Sequence, residues 1–236
     1  MRKVQIARFV WRFLSPLPGP WRAHQVVRSL LSPFGALLGK VVAEAQTSEA
    51  FTIIDLGCGH GIFLALIAFA LSERNLPSPK LIGIDLADDK IALAKRAFEK
   101  AELKADLEVR DIADFEPGAA NAISILDVLY LVPLEAWDSI FQNCYTALKP
   151  NGVLILKEMN RDKEIKFQIL CLEETLAVKV LRITKGNNFT FPRREEIRAK
   201  LESAGFKIEE EAALDQGYHV PHMLWMARKP TVTQDR

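Results

Sequence analysis

Apolar positions follow two rhythms along this chain. Up to about residue 46 they recur at the three- and four-residue spacing of amphipathic helices. That spacing predicts helices over 4–14 and 22–46, separated by the proline-rich break Ser15–Pro20. From Phe51 onward, short β-type runs alternate with helical segments. Phe51–Leu56, Lys80–Asp85, Asp106–Arg110, Ala122–Asp127 and Gly152–Glu158 read as strands. Helices are predicted from about Ile62 to Ser72, over Asp88–Ala101 and over Leu134–Leu148. The turn Lys149-Pro150-Asn151-Gly152 leads into the fifth strand, with Pro150 fixing one position and Gly152 expected at an unusual φ. Such alternation builds parallel strands with helices on both faces.

The carboxyl-terminal part departs from this alternation. Ile165, Ile169, Leu172, Leu176 and Val180 recur at helical spacing, predicting an inserted helix over Arg161–Thr184. Pro192 opens a helix running to about Ala204, with Gly205 as its cap. Phe206–Glu211 and Met223–Arg228 read as strands with no helix between them, hence an antiparallel hairpin at the sheet edge. The expected fold is α/β: a doubly wound, seven-stranded, mostly parallel sheet whose last strand is antiparallel. An amino-terminal helical arm (1–49) precedes the main domain (50–229), in which 161–190 forms a lid over the carboxyl edge of the sheet, and 230–236 is a tail.

Composition narrows the class. The 236 residues are 49% hydrophobic and 26% charged, enough to bury one sizeable core. A net charge of +1 gives the whole molecule no pull towards nucleic acid. Residues 1–42, however, hold Arg2, Lys3, Arg8, Arg12, Arg22, Arg28 and Lys40 and no acid. Cys58, Cys144 and Cys171 are odd in number and lack metal-ligand spacing, which disfavours a disulfide scaffold or a zinc site. The longest apolar run, Ile62–Leu71, is about half of a bilayer span. Arg8 and Arg12, followed by Pro16, Pro18 and Pro20, argue against a signal peptide. A cytoplasmic protein is expected. The arm also carries Phe9, Trp11, Phe13, Leu14, Trp21, Leu30, Leu31, Phe34 and Leu37. Aromatics among cations fit an interfacial membrane helix, or an arm folded inward over the site; nucleic-acid contact is disfavoured.

Chemistry concentrates in Ile53-Ile54-Asp55-Leu56-Gly57-Cys58-Gly59-His60-Gly61-Ile62-Phe63, where a buried strand turns into a helix. Three glycines permit a tight turn and close approach of a ligand, at the sheet edge where open α/β folds bind ligands. The dinucleotide fingerprint requires its third glycine three positions after the second, but Gly61 follows Gly59 by two. Asp85 closes the second strand, where a carboxylate can accept from both hydroxyls of a ribose. Asp111 follows the third strand, where it can accept from an exocyclic adenine amine while the Ile112 amide faces a ring nitrogen. Read separately, Asp85 is also a helix-start acid and Asp111 a turn cap.

With these residues in order, the sequence resembles the class I S-adenosylmethionine (SAM)-dependent methyltransferases over roughly residues 50–160, and more weakly over Pro192–Arg228. The resemblance implies that Asp55, Gly57, Cys58, Gly59 and Gly61 surround the amino-acid part of SAM. It implies that Asp85 holds the ribose, Leu86 packs on adenine, and Asp111 with Ile112 reads the adenine edge. Asp127, in Leu126-Asp127-Val128-Leu129-Tyr130, is expected to face the methionine side and the acceptor.

Because the sulfonium is already an activated leaving group, catalysis needs alignment and at most a proton acceptor. Tyr130 and His219 are the candidates, with His222 beside His219 in the same loop; His60 reads as a partly exposed turn residue, and Glu158 and Arg161 as solvated and paired. The acceptor is expected to be small and apolar, lipid-like or aromatic, methylated on oxygen or carbon. The Asp/Asn-Pro-Pro-Tyr/Phe pattern of amino methylation is absent. A SAM-binding regulatory or scaffold protein without turnover is the alternative. No metal is expected.

Overall fold

Proline placement divides the amino-terminal segment into three helices, α1 (Lys3–Phe13), α2 (Gly19–Leu31) and α3 (Phe34–Gln46). The single helix expected over 22–46 is broken at Ser32–Pro33. Proline lacks the N–H that would continue the ladder and drives its predecessor into the extended region, where Ser32 sits at ψ 143°. The computed structural model describes residues 1–115, 118–159, 192–214 and 222–231. The helix expected over Arg161–Thr184 and the loop holding His219 lie outside the described residues.

The alternating region follows the expected order: β1 (Thr52–Leu56), α4 (Ile62–Ser72), β2 (Lys80–Asp85), α5 (Asp88–Lys100), β3 (Asp106–Val109), β4 (Ala120–Leu126), α6 (Trp137–Ala147) and β5 (Leu148–Met159). Then come α7 (Arg194–Ser203), β6 (Lys207–Ala213) and β7 (His222–Arg228). The sheet order is β3-β2-β1-β4-β5-β7-β6. Strands β1 to β5 are parallel, and β7 lies between β5 and β6, antiparallel to both. Gly205, at φ 95°, ends α7 in the left-handed conformation expected of a helix cap.

One local expectation is reversed. Asn151, at φ 64°, takes the left-handed position before the buried part of β5, and Gly152 does not. Gly152 is needed for space instead: a Cβ there would lie 2.9 Å from the Lys149 carbonyl oxygen.

Alternation along the strands sends side chains to two cores. Ile53, Ala122, Val153, Ile155 and Leu224 join α1, α3, α4 and α5 on one face. Ile54, Ile123, Ile125, Leu154 and Trp225 join α6 and α7 on the other. The arm therefore shares a core with the sheet. Its phenylalanines dock on α4 and α5, with Phe9 4.8 Å from Phe69 and Phe13 5.1 Å from Phe98 between ring centroids. Arg228 of β7 donates to both Glu44 oxygens, at 2.7 and 3.0 Å, tying α3 to the sheet.

Candidate functional site

The carboxyl ends of β1 to β5 carry two connected clusters. The first is the glycine bend after β1. Gly57, Gly59 and Gly61 all lie in the left-handed region, at φ 76°, 54° and 70°. The Gly57 and Cys58 amides both donate to the Ile84 carbonyl, at 2.7 and 3.0 Å, hanging the bend on the end of β2. A Cβ on Gly57 would sit 2.2 Å from Val128, and one on Gly61 2.6 Å from Phe98. On Gly59 the nearest atom would be an Asp85 oxygen at 3.9 Å, so its outer face is open.

Asp85 is oriented by two backbone donors. Its Oδ2 accepts from the Gly59 amide at 2.7 Å and its Oδ1 from the Ala87 amide at 2.9 Å. This half-buried carboxylate thus bridges the glycine bend and the start of α5. Beside it Leu86 is 66% exposed, an apolar side chain set at the sheet edge without cover among the described residues. Asp111 is exposed; its Oδ1 caps the turn after β3 by accepting from Ala113 at 2.9 Å, so one oxygen serves the turn-cap reading. Ile112 turns its side chain inward.

Asp55 is buried within β1 and accepts a 2.6 Å hydrogen bond from the Ser124 hydroxyl of β4. Burial, with Asp85 nearby, pushes its carboxyl up to about 7 against the relief from Ser124. Burial also raises the Cys58 thiol, which keeps it protonated and inert. His60, half-buried in the bend, is lowered to about 4 by burial and the nearby Lys90, so it is neutral at physiological pH. That leaves it a turn residue, as expected.

The second cluster follows β4. Asp127 adopts φ 56°, and its amide donates to the Lys157 carbonyl at 2.9 Å. The fully buried Lys157 ammonium ion-pairs with Asp127 Oδ2. His222 Nδ1 lies 3.5 Å from Asp127 Oδ1, because the antiparallel pairing sets His222 opposite Met159 at the end of β5. Burial opposes charge on Asp127, but Lys157 and His222 outweigh it and hold the carboxyl below the usual range. Glu158 corrects an expectation: it is buried, not solvated. Its Oε1 accepts from the Val128 and Leu129 amides at 3.0 and 2.7 Å, and burial, with Asp127 close by, pushes it up to about 8. Tyr130 is buried in the turn after Asp127. His219 and Arg161 lie outside the described residues.

Val128, pressed against Gly57, joins the two clusters. The site holds three residues that the sequence reading did not single out. Ser124 and Lys157 each interrupt an otherwise apolar strand, and that interruption is a legible signal. Ser32, whose Oγ lies 3.4 Å from Lys157 Nζ, left no such signal.

A family model for a methyltransferase domain matches residues 10–211. The chain belongs to that family. It is a class I SAM-dependent methyltransferase, and SAM is its cofactor. Among curated relatives, the ubiquinone biosynthesis O-methyltransferase of Bordetella bronchiseptica is 26% identical over 72% of this chain and 68% of its own length. The carboxy-S-adenosyl-L-methionine synthase of Campylobacter hominis is 30% identical over 74% of this chain and 76% of its own. Across such relatives the chain spans from 50% to 76% of their length. Among solved structures, the magnesium protoporphyrin IX methyltransferase of Synechocystis, with bound SAH, shares the fold at a TM-score of 0.61 and 18% identity, covering 83% of this chain and 81% of that one. In this methyltransferase the glycine bend and Asp85 come together as expected, and Asp127 meets Lys157 and His222, which the sequence had not linked to it.

Proposed function

We propose that this methyltransferase moves the methyl group of SAM to an oxygen or carbon atom of a small, apolar, lipid-like or aromatic acceptor. The observation that carries the reading is the Asp85 carboxylate, held by two amides at the lip of the open Gly59 bend. Its remaining lone pairs suit a vicinal diol, and Leu86 beside it offers an apolar platform for a planar base. The residues fit the cofactor in charge as well. Asp55 is a buried acid whose ionisation burial disfavours, and an ammonium group set against it would restore that ionisation.

When bound, SAM supplies a methyl group on a sulfonium, ready for displacement. The chain's own residues do the rest. Gly57, Gly59, Gly61, Cys58 and Asp55 receive the amino-acid part, while Asp85, Leu86, Asp111 and Ile112 receive the nucleoside. Glu158 holds the Val128–Leu129 amides, which sets the turn bordering the acceptor. His222, rather than Tyr130, takes the acceptor's proton. A cation forming on this imidazole is stabilised by the Asp127 carboxylate, which Lys157 keeps ionised. An O-methyltransferase among the relatives supports an oxygen acceptor.

The test is calorimetry with SAM and its demethylated product, followed by incubation with methyl-labelled SAM and fractionated lipids and metabolites. A label found by mass spectrometry on an apolar hydroxyl or carbon is the expected result. Binding without any labelled product would favour the scaffold reading, and no binding would overturn both.

A further inference from the structure

The amino-terminal helices keep an outward surface that the fold does not use. On α1, Ile6, Val10 and Phe13 pack inward, and helical spacing places Val4, Arg8 and Trp11 on the opposite side. On α2, only Ser29 is buried. Trp21, Val27 and Leu31 share the outward side of α2 with His24 and Arg28. Among the described residues seven large hydrophobic side chains are exposed; five of them, Val4, Trp11, Trp21, Val27 and Leu31, lie on these two helices, at 44–62% exposure. The two surfaces adjoin, since the Arg22 guanidinium of α2 lies 4.5 Å over the Trp11 ring of α1.

Charge selects the partner. The first 42 residues carry seven cations and no acid, although the chain as a whole is nearly neutral. A second copy of this surface would set cation against cation. A polyphosphate chain would satisfy the arginines but leave Val4, Val27 and Leu31 in water. An anionic bilayer satisfies both: phosphates meet the cations, and the apolar side chains enter the headgroup–acyl boundary. We propose that α1 and α2 lie on an anionic membrane surface, with Val4, Trp11, Trp21, Val27 and Leu31 inserted and Arg8, Arg12 and Arg28 on lipid phosphates. No single described helix is long and apolar enough to cross a membrane, and α3, which with α2 makes one bent pair of sufficient length, buries Leu37, Leu38, Val41 and Val42 in the core, so the contact is taken as interfacial. Ser32, capping α2, touches Lys157 at the end of β5, so the surface borders the acceptor side of the site. That last link rests on the proposed function; the docking itself does not.

The full-length protein is floated with vesicles of phosphatidylcholine alone, and of phosphatidylcholine and phosphatidylglycerol in equal parts. Binding to the mixed vesicles, with a blue shift of tryptophan emission, is expected; neutral vesicles bind far less. Arg8→Gln with Arg12→Gln weakens binding by about tenfold or more. Trp21→Ser weakens it further and leaves calorimetric SAM binding unchanged, which shows that the variants fold. Failure to float with either vesicle, equal binding to both, binding of polyuridylate without vesicles, or a concentration-dependent dimer indifferent to vesicles would each overturn the proposal. Loss of turnover with intact flotation would count against the acceptor reading alone.

Discussion

Asp127 faces a buried lysine and a buried histidine with one carboxylate, and that arrangement decides what His222 can do. Lys157 takes Oδ2 and His222 stands 3.5 Å from Oδ1, both nearly removed from water. Low local polarity strengthens such pairs and penalises any member left alone. A proton arriving at His222 is therefore stabilised by a partner already in place. His222→Ala is expected to lower kcat by roughly 10²–10³-fold, within the range for a general base. KM for SAM should stay within about twofold, because the nucleoside residues are elsewhere. The acid limb of the kcat profile should vanish with the imidazole. A merely structural histidine would instead raise KM and lower kcat together, with the pH profile kept, and stopped-flow or steady-state kinetics over pH distinguishes the two. Tyr130 could be picked out from its position after β4, but the weight of the cluster could not. Lys157, Asp127 and His222 are far apart in the chain; the parallel pairing of β4 with β5 brings Lys157 to Asp127, and the antiparallel placement of β7 beside β5 adds His222.

At the scale of the element, the glycine bend illustrates how steric demand and packing demand combine. Gly59 and Gly61 share left-handed φ values but differ in surroundings. A methyl on Gly61 would add a 2.6 Å conflict with Phe98 of α5 to the cost of a left-handed alanine. Gly61→Ala should therefore destabilise by about 2–4 kcal/mol, the sum of a left-handed L-residue and local overpacking. Gly59→Ala, with nothing closer than 3.9 Å, should cost only about 1–2 kcal/mol. SAM affinity should fall more in Gly59→Ala, whose methyl occupies the open face. Urea unfolding and calorimetry on the two variants check this crossed pattern; equal stability losses would refute it. The helices were legible from periodicity because burial of one face is a local pattern. The break at Pro33 was overlooked in favour of one helix over 22–46, although proline's missing N–H is a property of the residue itself and could have marked it. The exchange of roles between Asn151 and Gly152 was not legible, because it depends on the Leu148 side chain and the Lys149 and Asn121 carbonyls closing around Gly152.

The whole molecule carries buried acids whose ionisation opposes folding. Asp55 and Glu158 have folded-state values of about 7 and 8, above their ordinary values. The folded protein then holds protons that the unfolded chain releases, so stability is highest in mild acid and falls as pH rises through these values. Asp127 acts in the opposite direction: its contribution is complete above the ordinary carboxylate range and is lost only in stronger acid. Between about pH 5.5 and about pH 8, stability should fall by an amount on the order of 5 kcal/mol, of which roughly 2 comes from Asp55. Asp55→Asn should flatten that fall and raise the midpoint at the alkaline end, while removing SAM binding. Urea midpoints of the two proteins across this range test it, and a profile rising with pH would be the contrary result. The site is thus less stable than an apolar replacement would be, which is common where function needs a buried charge.

From residue order alone came the strand–helix alternation, the hairpin at the end, the glycine bend and the acids following the second and third strands. Those features arise from periodic burial and from backbone sterics, both of which act between near neighbours. Tertiary structure alone decided that burial pushes the Asp55 carboxyl up to about 7, that Lys157 is a buried partner rather than a surface charge, and that the arm packs its phenylalanines against the core while exposing its tryptophans. Desolvation and ion pairing depend on every atom packed around a group, and those atoms arrive from distant parts of the chain.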